Sequence, residues 1–140
     1  MPFIDEIAER LINEGVGTLN AQVSKGIFKG SSAVIPDGVG PYLTLIETGG
    51  TGAARTHNNT ATERPTAQLK SRAVDTLEAR KMLQAAYAAL GGPNGLHNVT
   101  LSGVIYLSIT ARQGVTDTGK DETGRRATFT FNIDAEKEPS

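Results

Sequence analysis

From Val99 to Thr110 the chain alternates. Val99, Leu101, Ile105, Leu107 and Ile109 fall on odd positions, while Thr100, Ser102, Tyr106, Ser108 and Thr110 fall on even ones. Ala127, Phe129, Phe131 and Ile133 repeat the pattern against Thr128, Thr130 and Asn132. Successive side chains of a strand point to opposite faces, so this period predicts strands with one buried and one wet face. Such strands belong to an antiparallel sheet covered on one side only. About a dozen polar residues separate the two runs, which together read as a long antiparallel hairpin. Whatever covers the buried face must come from elsewhere in the chain.

Two segments can supply that cover. Phe3, Ile4, Ile7, Ala8, Leu11 and Ile12 recur at helical spacing with Asp5, Glu6, Glu9 and Arg10 on the opposite side, and Gly15 follows the last of them. A helix is predicted over about residues 3–14. Asp75 precedes a second stripe of Ala79, Met82, Leu83, Ala86 and Leu90, with Glu78 three residues after it and Gly91-Gly92-Pro93 at the end. An acceptor followed three residues later by a glutamate caps a helix N-terminus, so a second helix is predicted over about 76–90.

Between the helices, residues 16–40 hold Ile27-Phe28 and Ala33-Val34-Ile35 as short apolar runs among glycines, and predict one or two short strands. Tyr42–Thr48 reads as a strand with Leu43 and Leu45 on one face. Ala67–Ala73 alternates small or apolar residues with Gln68, Lys70 and Arg72 and reads as another. Residues 49–64 show no apolar period and are expected to form a long surface loop. A second polar loop is expected at 113–124, and 135–140 as a frayed tail. The order of elements predicts an α+β domain, with a mostly antiparallel sheet, two helices packed on one face and a long C-terminal β-hairpin.

At 140 residues the chain fits a single domain, 1–140. It holds no cysteine, which excludes disulfides and thiolate metal sites, and a net charge of -1 argues against a protein built to neutralise phosphates. No run approaches the ~18 apolar residues of a membrane span, and the N-terminus lacks the apolar core of an export signal. The Asn58-Asn-Thr60 and Asn98-Val-Thr100 sequons therefore carry no glycosylation expectation.

The chemistry-bearing motifs are thin. Gly114–Asp121 approaches a phosphate-binding P-loop, but Asp121 stands where the hydroxyl that holds magnesium belongs, and a strand follows where a helix is needed. Gly49-Gly-Thr-Gly52 with Arg55 could expose N–H groups to an anion, yet no helix follows it either. His57 and His97 have no metal-ligand partner at helical spacing, and no nucleophile elbow is present. Glu47 has no acid/base partner in the sequence, and Asp75 and Glu78 are explained by capping. Arg72, Arg112, Arg125 and Arg126 are expected on solvated strand faces, paired with acids.

In order and spacing the sequence resembles the tail terminator proteins of long-tailed bacteriophages, the group often labelled minor capsid protein. The likeness runs through Tyr42-Leu-Thr-Leu-Ile-Glu-Thr-Gly-Gly50, Pro65-Thr-Ala-Gln-Leu-Lys-Ser-Arg72-Ala leading into Glu78-Ala-Arg80, and Gly124-Arg125 before Phe129-Thr-Phe131-Asn132-Ile133. The segment 51–64 departs from that pattern. The resemblance implies an α+β subunit that assembles with copies of itself into a ring, usually a hexamer, in the head-tail neck of the virion. It implies partners in the tail tube protein and the head connector or stopper protein, DNA only in passage through the lumen, no membrane, no catalysis and no cofactor. Assembly would take place in the host cytoplasm. The expected contacts to neighbouring rings are the loop residues Arg55, His57, Asp117, Lys120 and Asp121. Two alternatives stay open: a head completion or connector adaptor protein of the neck, and a small anion- or nucleotide-binding domain using Gly49–Arg55.

Overall fold

A computed structural model describes residues 3–30, 35–36, 38–55, 61–120 and 126–138, with the backbone alone at 50–55 and 61. The first helix, α1, spans Phe3–Asn13 and ends where Gly15 turns at φ 78°. The second, α2, spans Thr76–Ala89, and the Asp75 carboxylate accepts the Leu77 N–H at 2.9 Å, as its capping position predicts. The strands are β1 (Thr18–Leu19), β2 (Gly26–Lys29), β3 (Tyr42–Arg55), β4 (Ala61–Ala73), β5 (Leu96–Leu101), β6 (Val104–Ala111), β7 (Thr116–Lys120) and β8 (Ala127–Lys137). They form one sheet in the order β1-β2-β3-β4-β8-β6-β5, with β7 also paired to β8. All pairings are antiparallel except β1–β2 and β2–β3.

The period of two in the sequence now has its cause. Leu43, Leu45, Ala67, Leu69, Phe129, Phe131 and Ile133 turn to one face and share a core with Ile7 and Leu11 of α1 and Ala79, Leu83 and Ala86 of α2. Both helices thus cover the same face, as predicted. Tyr87 of α2 meets Phe131 edge-on at 5.4 Å between ring centroids, and the Ser71 hydroxyl donates to the Ala79 carbonyl at 2.8 Å. Arg10 ties the helices together by donating to the carbonyl of Ala89 at 3.1 Å.

The structure corrects several expectations. The expected loop at 49–64 is mostly strand: β3 and β4 continue as a hairpin to the pair Arg55↔Ala61, bending at register shifts between Glu47 and Gly50 and between Thr51 and Ala54. The loop at 113–124 is shortened in the same way, because β7 pairs with β8 from Thr116↔Thr130 to Lys120↔Ala127. The single run from Val99 to Thr110 is two strands, because Ser102 (φ 51°) and Gly103 (φ 80°) make a two-residue turn. Beyond that turn Tyr106 is buried and Ile105 is 43% exposed. The predicted long hairpin survives as β6 and β7, which lie end to end along β8, with the Arg112 N–H bonded to the Asn132 carbonyl between them. The tail is not frayed through 137, since β8 reaches Lys137 and buries it to 1% exposure. Arg126 is likewise buried rather than solvated.

The sheet has two distinct ends. At the near end Tyr42, Ala73, Lys120 and Ala127 meet, and at the far end lie Arg55, Ala61, Tyr106 and Lys137. Any site on this molecule is placed relative to those ends, the two edges and the face turned away from the helices.

Candidate functional site

Alternation that turns apolar residues to the helices turns hydroxyls and charges to the other face. There Thr48 and Thr66, Ser108 and Thr110, and Asn132 line an open depression of about 630 Å³ together with Arg64, Arg112, Asp134 and Glu136. The Thr48 and Thr66 hydroxyls share a hydrogen bond of 2.8 Å. Arg112 donates to Asp134 at 3.1 Å, and Arg64 lies 3.9 Å from Glu136. These pairs are half exposed, so each contributes at most about 1 kcal/mol, and their effect is to offset the charge of the arginines locally. Among the described residues the lining holds hydroxyls but no imidazole to activate them.

The predicted contact residues do not form one cluster. Arg55 ends β3 at the far end, whereas Asp117 and Lys120 lie exposed on β7 toward the near end. His57 and Asp121 lie outside the described residues, as do Glu122 and Arg125. Asp117 also acts locally, since its carboxylate accepts the Gly119 N–H at 2.7 Å where the ladder shifts register and Gly119 takes φ 85°. Gly49–Arg55 belongs to β3, paired to β4 at Gly50, Thr51, Ala54 and Arg55, and is not the free loop of the anion-pocket alternative. His97 is occupied with the Asn94 carbonyl at 2.9 Å.

Two features escaped sequence reasoning. The first is an apolar patch at the near end. The Val39 carbonyl accepts the Val74 N–H at 2.9 Å, and the Tyr42 hydroxyl donates to the carbonyls of Gln22 and Val23, which draws three segments together. Val23, Val39 and Val74, with Leu77 in the first turn of α2, stay exposed there, Val23 to 83% and Val39 to 67%. Clustered exposed aliphatic side chains mark contact surfaces more often than scattered ones do. The one signal in the sequence was Leu77, which stands off the buried stripe of α2.

The second is a buried polar cluster. Glu6, expected on the wet side of α1, is fully buried, because Lys137 of β8 donates to its Oε1 at 2.7 Å and the Tyr106 hydroxyl donates to the same oxygen at 2.6 Å. Burial first, then the bond to Glu6 and its charge, push the Tyr106 hydroxyl well above its ordinary range. It therefore remains a donor whenever the fold is intact. A phenol that ionises only when unfolded adds stability that is whole below about pH 10 and declines above it, by roughly 1.4 kcal/mol per pH unit. We expect urea midpoints to fall across about pH 10–11 with Tyr106 contributing one such increment, and Tyr106→Phe to lack it. Equal slopes for the two proteins would contradict the assignment.

The fold that carries these features is shared with a chain from a structure described as the virion of a native gene transfer agent particle. The match covers 79% of this chain and 78% of that one, with a TM-score of 0.57 and 14% sequence identity. No protein-family model matches the sequence, and no curated protein does. At that identity the shared fold concerns architecture, and the roles of individual residues rest on the contacts described above. No described helix is long and apolar enough to cross a membrane.

Proposed function

We propose that this chain is a structural virion protein that forms a ring closing the tail tube and joining it to the head connector. The observation that carries this reading is the architecture shared with a chain of a gene transfer agent virion across 79% of the sequence. The two-ended sheet supports it. A joint between two assemblies needs contact surfaces facing both ways, and here Arg55 ends a hairpin arm at one end while Lys120 and the apolar patch lie at the other. The open depression on the face turned away from the helices, with its hydroxyls and ion-paired arginines, suits a channel wall past which DNA moves without being held, since each unpaired cation would bind phosphate.

The test is electron microscopy of the purified protein mixed separately with tails and with DNA-filled heads of the virus that encodes it. A tail terminator decorates the head-proximal tip of tails. Decoration of filled heads alone assigns the chain to head completion instead, and decoration of neither overturns the virion reading. Val39→Glu is expected to leave the unfolding free energy measured in urea within about 0.5 kcal/mol of the parent, as for exposed substitutions generally, because this side chain is 67% exposed. If the near end docks in the joint, the same change buries an unpaired carboxylate and weakens decoration by more than about tenfold.

A further inference from the structure

We infer that copies of this chain join side by side through the far half of β3 and the outer edge of β5, continuing one sheet from subunit to subunit. This inference rests on the ring reading and names the surface that closes the ring. Among the described residues β2 pairs with β3 only as far as Leu45, so the stretch from Glu47 to Arg55 has its outer edge open. On the opposite side of the sheet β5 pairs with β6 and with no other described strand. An open edge presents unpaired N–H and C=O groups, the direct template for another strand.

Three properties of these edges select a second copy as the occupant. The first is direction. β3, β4, β8, β6 and β5 are successively antiparallel, so β3 and β5 run the same way. Joining β5 of one copy to β3 of the next therefore gives a parallel pair and a head-to-tail contact, whereas β3 with β3 or β5 with β5 about a twofold axis gives an antiparallel pair and stops at a dimer.

The second is level. Following the ladder sideways, Val99 stands opposite Tyr106, Tyr106 opposite Lys137, and Lys137 opposite Glu63. Glu63 lies between Thr62, paired with Ala54, and Arg64, paired with Thr51. The middle of β5 and the open part of β3 thus lie at the same height along the strands. A head-to-tail contact without axial offset closes into a ring, while one with an offset climbs into a filament.

The third is selectivity. Asn98 at φ 53° interrupts β5 and the register shifts bend β3, and such irregularities discourage indiscriminate strand addition. With strands along the ring axis, the two ends of the sheet face the two neighbouring assemblies.

The chain contains no cysteine, so engineered ones report without background. Thr100, exposed on β5, is changed to Cys and combined in turn with Cys at each position from Gly50 to Arg55. Within one subunit these edges are about four strand spacings, roughly 19 Å, apart, far beyond the ~7 Å limit for a disulfide, so every bridge joins two copies. Under oxidation at least one combination is expected to yield a ladder of covalent species ending at a closed ring, while Thr100→Cys alone yields none. In the parent protein, amide hydrogen exchange at 47–55 and 96–101 should slow by at least tenfold between dilute and assembled samples; this measurement is independent of the folding of any variant. Ring-sized particles with neither ladder nor edge protection would overturn the edge pairing and leave the ring reading standing. Covalent dimers from Thr100→Cys alone would replace the parallel contact with an isologous one. A monomer at every concentration, with and without tails, would overturn both.

Discussion

Lys137→Met is expected to lower the unfolding free energy by about 3–5 kcal/mol, a large loss for a residue so close to the C-terminus. Its ammonium donates to Glu6 at 2.7 Å, with both side chains almost wholly buried, and stands 5.6 Å from the centre of the Tyr106 ring. Without it the Glu6 carboxylate is left in the core with only the Tyr106 hydroxyl, and its second oxygen already has no hydrogen bond among the described residues. Glu63, 4.0 Å from the ammonium, is itself a carboxylate and offers Glu6 no cation in place of the lost one. The cost therefore comes from stranding a charge, so removing both charges should cost far less than removing one. Glu6→Leu combined with Lys137→Met is expected to return to within about 1 kcal/mol of the parent. Urea denaturation at neutral pH, with m unchanged, measures both. If Lys137→Met fell within about 0.5 kcal/mol of the parent, the end of β8 would behave as the frayed tail its sequence resembles, and the cluster would have no energetic role.

That contrast marks where the sequence could and could not be read. The helices and the strands at Tyr42–Thr48, Ala67–Ala73 and Ala127–Ile133 were legible because each buries an apolar face, and burial leaves a period behind. The outer arms of β3 and β4 and the whole of β7 were not. They are held by the backbone ladder: all five residues of β7 are exposed, and the buried residue in the outer arm of β4 is the polar Thr62, so no apolar period marks either in the sequence. The last turns of β8 were hidden differently. Ala135 and Lys137 do alternate inward against Asp134 and Glu136, but a lysine facing the core through an ion pair reads as a charge facing water.

The same logic applies to the candidate surfaces. Arg55 and Lys120 could be placed in the two polar loops from element order, while the β3–β4 hairpin that carries Arg55 and their separation to opposite ends required the register. The near-end patch draws on three segments, each with one or two exposed aliphatic residues, so no local window reveals it. Sheet edges are properties of strand order alone and leave no mark in composition. The features most useful for assembly are thus the ones that pairing, rather than burial, creates.

Gly91→Ala should be among the costliest small substitutions in the molecule, and Gly92→Ala, one residue on, a mild one. Both positions have positive φ, 96° and 60°, which alone costs an alanine roughly 1–2 kcal/mol. They differ in what a methyl group would meet. At Gly92 the nearest atom is an edge carbon of Tyr87 at 4.0 Å, an ordinary contact. At Gly91 the added carbon would fall 2.2 Å from the Gly95 carbonyl carbon and 2.3 Å from its oxygen, where backbone meets backbone and no rotamer change gives relief. Nor can Gly95 retreat freely, because a Cβ placed on it lies 2.4 Å from the Ile109 carbonyl oxygen, which shows how closely this turn presses on β6. Gly91→Ala is therefore expected to cost about 3 kcal/mol or more against about 1 kcal/mol for Gly92→Ala, both measurable by thermal or urea unfolding. Equal costs would mean that the turn from α2 into β5 is loose. Because that turn sets where β5 begins, any shift that makes room for the methyl group also moves the outer edge of the sheet. Gly91→Ala protein that remains folded at low temperature should then assemble more weakly than its stability alone predicts, while Gly92→Ala assembles as the parent does.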